Sequence, residues 1–331
     1  MRLIAACLAI ALFVGLQSPM PAAADIASVC TGSGAGTAVV AACTALIASG
    51  KLDKDSTVVA YVSRANAYEA LGQHQKAVDD YTQAIAIKPS ADLYFYRAYA
   101  NEQLGQDAPS IADYSQAILL KPDYLLALTR RGYAYLRGHD YPHAAADFNA
   151  ALALNPSAPL AVNGRGLAYQ GAGKYDLAIA DFGTIIAAGP DIDAYRNRAN
   201  TEFYLGHVSD AALDFGHVAA LKTSDPIPVI LQHIARLRAG QSDPDFATAT
   251  ASFDQTAWPA AVIALFLGKG TEPAVFAQAN GAQQCQAQFM IGEWYATQKQ
   301  FGTGVINFTQ ASQLCSYGTF EYQASLSEMQ R

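Results

Sequence analysis

The chain has 331 residues and a formal net charge of −7. That balance excludes a dedicated nucleic-acid binder, because neutralising phosphates takes clustered Lys and Arg, and it argues against docking on anionic membrane surfaces. With 52% hydrophobic and 15% charged residues, the chain holds apolar content for one large or two ordinary domains of closely packed helices.

Met1 and Arg2 form a short positive start, Leu3 to Leu16 is an apolar run, and Ala22-Ala23-Ala24 has the small-x-small form of a cleavage site. Residues 1–24 therefore read as a cleaved signal peptide. The run is shorter than the roughly 20 residues that a spanning helix needs, so stable membrane insertion is not expected. Cys7 stands near the start of the run rather than after it, which speaks against a lipid attachment site. The expected mature chain begins at Asp25 and is exported, to a periplasm.

Without the leader four cysteines remain: Cys30, Cys43, Cys285 and Cys315. An even count in an exported chain reads as disulfides, and four cysteines allow three connectivities. Cys30–Cys43 and Cys285–Cys315 are the pairs expected, each being close in sequence. No CxxC or CxxH spacing is present to make a metal site.

Residues 25–56 read as a terminal segment with a Gly/Ser-rich start and a helix from about Thr37 to Ser49, stapled by the first disulfide. Solenoid ends are built from such atypical caps.

Residues 57–222 repeat. The stretch Tyr61 to Pro89, "YVSRANAYEALGQHQKAVDDYTQAIAIKP", matches the chain four more times at a period of 33 to 34 residues. Gly72 recurs as Gly105, Gly173 and Gly206, with His139 in the corresponding place between. A small residue recurs as Ala65, Ala98, Gly132, Gly166 and Ala199, and an aromatic as Tyr81, Tyr114, Phe148, Phe182 and Phe215. Pro89, Pro122, Pro156 and Pro190 close four units. Apolar spacings of three and four on both sides of each Gly predict two helices and a turn, and one such hairpin cannot bury its face without stacking on others.

These units resemble tetratricopeptide (TPR) repeats. The first places Tyr61, Ala65, Tyr68, Gly72, Ala77, Tyr81, Ala84 and Pro89 at the motif's offsets, and the third Leu128, Gly132, Tyr135, His139, Ala144, Phe148, Ala151 and Pro156. Asn101 and Glu202 depart from the Tyr before the turn, and Ser110 from the Ala after it. The resemblance implies an all-α, right-handed superhelical solenoid of antiparallel hairpins with five repeats over residues 57–222.

A second period runs through the same units. Arg64, Arg97, Arg131, Arg165 and Arg198 share one offset, and Asp80, Asp113, Asp147, Asp181 and Asp214 share another, 16 residues later each time. Arg on a first helix and Asp on a second predict a ladder of bidentate ion pairs tying the hairpins together. The other reading is a basic stripe for an acidic ligand, which the matching acid at every step disfavours.

Residues 223–284 weaken the register. Ile227 to Arg238 is helical in pattern, and an apolar helix with Pro259 early ends near Gly268. Residues 285–331 recover it, with Gly292, Tyr295, Phe308 and Ala311 at repeat offsets, and read as a TPR-like repeat with a capping helix. Cys285 and Cys315 then fall at the start of one helix and the end of its antiparallel partner, two neighbouring places. This C-terminal part resembles NlpI-type periplasmic TPR proteins.

Catalytic patterns are missing: no HExxH, GxSxG, P-loop or strand-borne GxGxxG. His139 and His143 are four apart but fall at a turn between helices, and read as surface residues. The expectation is a chain without enzyme activity, cofactor or metal. What remains is a surface. The TPR resemblance implies a concave face lined by first helices, which holds a peptide or a partner helix. Carried over by offset, that face takes Val62, Asn66 and Glu69, then Phe95, Tyr99 and Glu102, then Thr129, Tyr133 and Leu136. Asn163, Leu167 and Gln170 follow, then Arg196, Asn200, Phe203 and Tyr204. For Tyr99 and Tyr133, packing between repeats competes with recognition. The expected function is a scaffold or adaptor for a protein or peptide partner in the bacterial cell envelope. A module for a small ligand or glycan, and a subunit that self-associates into homo-oligomers, are the alternatives.

Overall fold

The computed structural model describes residues 23–32 and 35–331. The expected signal peptide, residues 1–24, lies outside the described residues apart from its last two positions. Every regular element among the described residues is an α-helix, as the all-α reading required. The chain divides into two compact units, one ending at Leu120 and the other beginning at Lys121.

In the first unit, α1 (Ala23–Thr31) and α2 (Gly36–Ala48) are joined by the Cys30–Cys43 disulfide, with Cα atoms 4.9 Å apart. Both half-cystines are buried with Val39, Ala60 and Ala67, so the staple sits in a small core rather than on a loop. Two hairpins follow: α3 (Lys54–Ala70) with α4 (His74–Ile87), and α5 (Ala91–Gln103) with α6 (Asp107–Leu120). The Asp53 and Ser90 side chains accept from the backbone N–H groups of Ser56 and Leu93, capping α3 and α5.

In the second unit, α7 (Leu125–Arg137) pairs with α8 (Tyr141–Leu154), α9 (Pro159–Gly171) with α10 (Tyr175–Ala188), and α11 (Ile192–Leu205) with α12 (Val208–Leu221). Then come α13 (Pro226–Arg238), three short helices α14 (Phe246–Thr250), α15 (Ala260–Phe266) and α16 (Glu272–Gln278), and the hairpin of α17 (Gln283–Thr297) and α18 (Phe301–Leu314). The last helix, α19 (Phe320–Glu328), packs on α17 and α18 and also reaches back to α11.

The spacing of small and aromatic residues has a direct packing reason. A Cβ added to Gly132 would stand 2.9 Å from the Phe148 ring, one on Gly166 2.7 Å from Phe182, and one on Gly292 2.6 Å from Phe308. Each small residue on a first helix is the seat of the aromatic 16 positions later on the second. Phe148, Phe182 and Phe308 are almost entirely buried there.

The turn has an equally specific reason. Gly72, Gly105, Gly173 and Gly206 all have φ between +69° and +82°, and the N–H one residue further on donates to the carbonyl five residues back, as Gln73 does to Tyr68 at 2.8 Å. This is a helix C-terminus closed by a left-handed residue. The same closure occurs at Gly240, Gly268 and Lys299, where Gln241, Lys269 and Gln300 donate to Arg236, Ala264 and Tyr295. The turn geometry of the repeats therefore continues into residues 223–284, where the side-chain pattern had faded, closing the 13-residue α13 at Gly240 and the seven-residue α15 at Gly268.

Lys299 holds φ +62° with a side chain that is exposed. A left-handed conformation costs an L-residue about 1–2 kcal/mol, which glycine avoids. Lys299→Gly is expected to raise stability by about 0.5–1 kcal/mol, net of glycine's larger unfolded-state entropy. The midpoint of urea unfolding measures it.

Candidate functional site

The periodic Arg and Asp residues meet in every repeat. Each Arg donates through Nε and Nη2 to the two oxygens of its Asp at 2.6–2.9 Å, in the pairs Arg64–Asp80, Arg97–Asp113, Arg131–Asp147, Arg165–Asp181 and Arg198–Asp214. All five carboxylates are buried, and hydrogen bonding to Asp147 pushes the Arg131 guanidinium further up, keeping it charged. A third guanidinium nitrogen reaches the preceding hairpin: Arg64 to Thr44, Arg97 to Thr82 and Arg165 to Asn149. The pairs thus close all five hairpins, and those of Arg64, Arg97 and Arg165 also bind their hairpin to the helix pair before it. In α17 and α18 the corresponding places hold Ile291 and Asn307, both buried.

The first-helix residues expected to recognise a partner fall into two groups. In the first unit, Asn66 is exposed and accepts from the Tyr81 hydroxyl at 2.6 Å, and Tyr99 is half-buried. Phe95 is buried against Tyr114, with ring centroids 5.6 Å apart. In the second unit, Thr129 is buried and spends its hydroxyl on the Leu125 carbonyl of its own helix. Tyr133 donates to the Leu160 carbonyl at 2.8 Å, accepts from Asn163, and stands edge-on to Phe148. Its role is to join α7 to α9. Arg196 pairs with Asp193 on the same helix, and Asn200 is half-buried.

Phe203 and Tyr204 were expected on an open face, and both are buried instead. The cover is α19. Its Phe320 ring packs on Phe203, Tyr204, Phe215 and Phe289 at 5.3–6.1 Å between centroids for the four neighbours. Ser327 Oγ donates to the Tyr204 carbonyl at 2.6 Å, and Arg331 donates to the carbonyls of Phe203 and Tyr204 at 2.8 and 3.2 Å. Beside this contact, Leu136, Tyr141, Leu167, Gln170, Tyr204 and Tyr317 line a cavity of about 240 Å³.

The same helix closes a buried charge cluster that local sequence patterns did not reveal. Arg238 donates to Glu293 and to Glu328 at 2.6 Å, and Glu328 also pairs with Arg331. Glu293 is fully buried, one oxygen bonded to Arg238 and the other without a hydrogen-bond partner. The one available signal was a carboxylate inside the otherwise apolar run "FMIGEWYA".

Burial pushes the Glu293 carboxyl up, against the lowering effect of Arg238 and Arg331 and with Glu328 adding to the rise. A carboxyl raised in the folded state binds its proton more tightly there than in the unfolded chain. Its contribution is fully present below the ordinary carboxylate range and is lost as pH rises towards the elevated value. The seat of α19 is therefore expected to loosen on going from mildly acidic to mildly alkaline pH. Hydrogen exchange of α19 across that range measures it, and Glu293→Gln should flatten the dependence.

As for metals, His139 and His143 bond to Tyr141 and Asp140 and do not converge. Glu202, His207 and Asp210 bring three ligand atoms within 4.8 Å of one another. Glu202 and His207 are already bonded at 2.8 Å, and the same carboxylate–imidazole pair closes the first repeat at Glu69 and His74. The pair is part of the turn. Among the described residues no helix is long and apolar enough to cross a membrane.

Stacked antiparallel hairpins, each closed by a left-handed residue and seated small-on-aromatic, define a helical repeat protein whose exposed helices serve as a protein-interaction scaffold. Models described as tetratricopeptide repeat match residues 58–90, and in overlapping spans 108–159, 129–192 and 163–226. The chain belongs to the tetratricopeptide repeat proteins. Its fold is similar to a tetratricopeptide repeat protein from Parabacteroides merdae, at 16% identity and a TM-score of 0.54, covering 81% of this chain and 97% of that one. It is also similar to MamA from Desulfovibrio magneticus RS-1, at 20% identity and a TM-score of 0.50, covering 53% and 98%. None of the curated proteins compared with it matches the sequence.

Proposed function

We propose that the chain is a non-catalytic adaptor of the bacterial cell envelope, holding a protein or peptide partner against first-helix residues of its repeats. Two disulfides support an oxidising compartment, and the apolar leader of the sequence supports export. The observation that carries the binding reading is the cavity of the second unit, where the half-buried Leu136 and Leu167 line open space. Tyr99 offers a half-buried aromatic at the matching offset of the first unit. Tyr and apolar side chains at such places supply contact area at low entropic cost. Of the residues expected at the site, Asn66, Tyr99, Asn163, Arg196 and Asn200 remain candidates for contact, whereas Phe95, Thr129, Phe203 and Tyr204 are enclosed.

The test is affinity capture from periplasmic extract with the mature chain, Tyr99→Ala and Leu167→Ala, each checked first for unchanged helicity and melting. A specific partner lost with one folded variant supports the reading and says which unit holds it. A chain that captures nothing, yet is stabilised against heat by a small ligand or glycan, overturns it.

A further inference from the structure

We propose that the face of α11 bearing Phe203 and Tyr204 is a helix-binding site which α19 fills in the free chain, and which an amphipathic helix of a partner protein takes over by displacing α19. The seat itself defines the ligand. Phe320, Ala324 and Ser327 stand at spacings of four and three, which is one stripe of α19, and Arg331 follows three residues past its end. The stripe presents an aromatic to Phe203 and Tyr204, a small buried residue and a hydroxyl to the Tyr204 carbonyl, and the segment after it brings a guanidinium to the last carbonyls of α11. A cation at that place also answers the negative end of α11. A partner helix is therefore recognised by an aromatic, a small residue, a hydroxyl and an arginine in that order.

Three observations make α19 an exchangeable occupant. Beside its aromatic contacts the seat also holds buried charge: Arg238, Glu293 and Glu328 meet there almost without exposure. Glu293 Oε1 and Ser325 Oγ are buried there without hydrogen-bond partners. Buried charges and unpartnered polar atoms contribute specificity at the expense of stability. Second, the helix is only nine residues long and hangs on the short loop that follows Cys315. The Cys285–Cys315 disulfide holds the base of that loop, so α19 can leave while α18 stays. Third, the cavity beside the start of α19 is lined by Leu136 and Leu167 on one side and by Tyr317, Gly318 and Gln323 on the other. A helix without the return loop continues into that space and covers leucines that α19 leaves open, which gives an incoming partner its advantage.

The exchange rests on the interaction reading above for its biological use, but its test needs no outside partner, so the two fail separately. A site-specific protease sequence is placed in the 316–318 loop and cut after folding. The probes are a fluorescein-labelled peptide of residues 319–331, its Phe320→Ala form, and a form lengthened at the N-terminus by one leucine-bearing turn. While tethered, α19 competes at an effective concentration of about a millimolar. The cut chain is thus expected to take up the labelled peptide at least about tenfold better than the uncut chain. The Phe320→Ala peptide should bind at least about tenfold more weakly than the parent, and the lengthened one about threefold or more tightly. A cut chain that keeps its own α19 and takes up no peptide overturns the exchange, and so does loss of helix beyond α19 on cutting. Equal uptake by the uncut chain, or α19 passing between two copies to give a dimer, also overturns it.

Discussion

Asp147→Ala is expected to destabilise the chain by about 3–5 kcal/mol, the range for breaking one side of a buried ion pair. The carboxylate side chain is 8% exposed and takes two donors from Arg131, whose own side chain is 19% exposed. Removing it strands a guanidinium that cannot give up its charge and that is shielded from water on most sides. The charge, not the lost attraction, is the main cost. Replacing both partners with apolar residues of similar volume, Arg131→Met with Asp147→Leu, should therefore recover most of the loss. The exposed pair of Lys88 and Asp55, with side chains 65% and 77% exposed, supplies the contrast. Lys88→Ala should leave stability nearly unchanged. Urea midpoints of the four proteins decide between these outcomes, and a loss in Asp147→Ala as small as that in Lys88→Ala would mean that the ladder is solvated in solution.

Cys285→Ala with Cys315→Ala should cost about 3–4 kcal/mol, from the entropy of a closed loop spanning 30 residues. The corresponding change at Cys30 and Cys43, 13 apart, should cost about 3 kcal/mol on the same reasoning. The larger effect should also be local. Both half-cystines belong to the core that includes Phe289, Phe308 and Ala324, so amide protection should fall in α17, α18 and α19 and be kept in α7 to α10. Uniform loss across the second unit would show instead that this unit opens as one block.

The parts of the fold legible in the sequence are those whose partners lie within one repeat. Phe148 and Gly132, or Arg131 and Asp147, are 16 positions apart, and repetition five times over turns such a spacing into a pattern. The cysteine pairs were readable for the same reason of short separation. Within residues 223–284 the helices ending near Arg238 and Gly268 were readable, whereas α14 and α16, of five and seven residues, have too few positions for periodicity to show. The face of α11 was misjudged for a different reason. Offset says that Phe203 and Tyr204 point away from their own hairpin, but not what covers them, and the cover comes from Ser327, 123 residues further on. Nothing local to either segment states that contact. Glu293 was invisible likewise, its partner Arg238 being 55 residues earlier.

The placement of the two disulfides has a bearing on how the chain meets proteases. A stack of hairpins has nearest-neighbour support only, so its first and last members, held from one side, open most easily. Cleavage of a native chain begins where such opening exposes backbone. Here one crosslink joins α1 to α2 and the other joins the start of α17 to the end of α18. Residues 316–331 lie beyond the second crosslink, so cutting is expected to begin at α19 and its loop and to stop at α18. Reduction of the Cys285–Cys315 bond would let that trimming pass from α19 into α17 and α18.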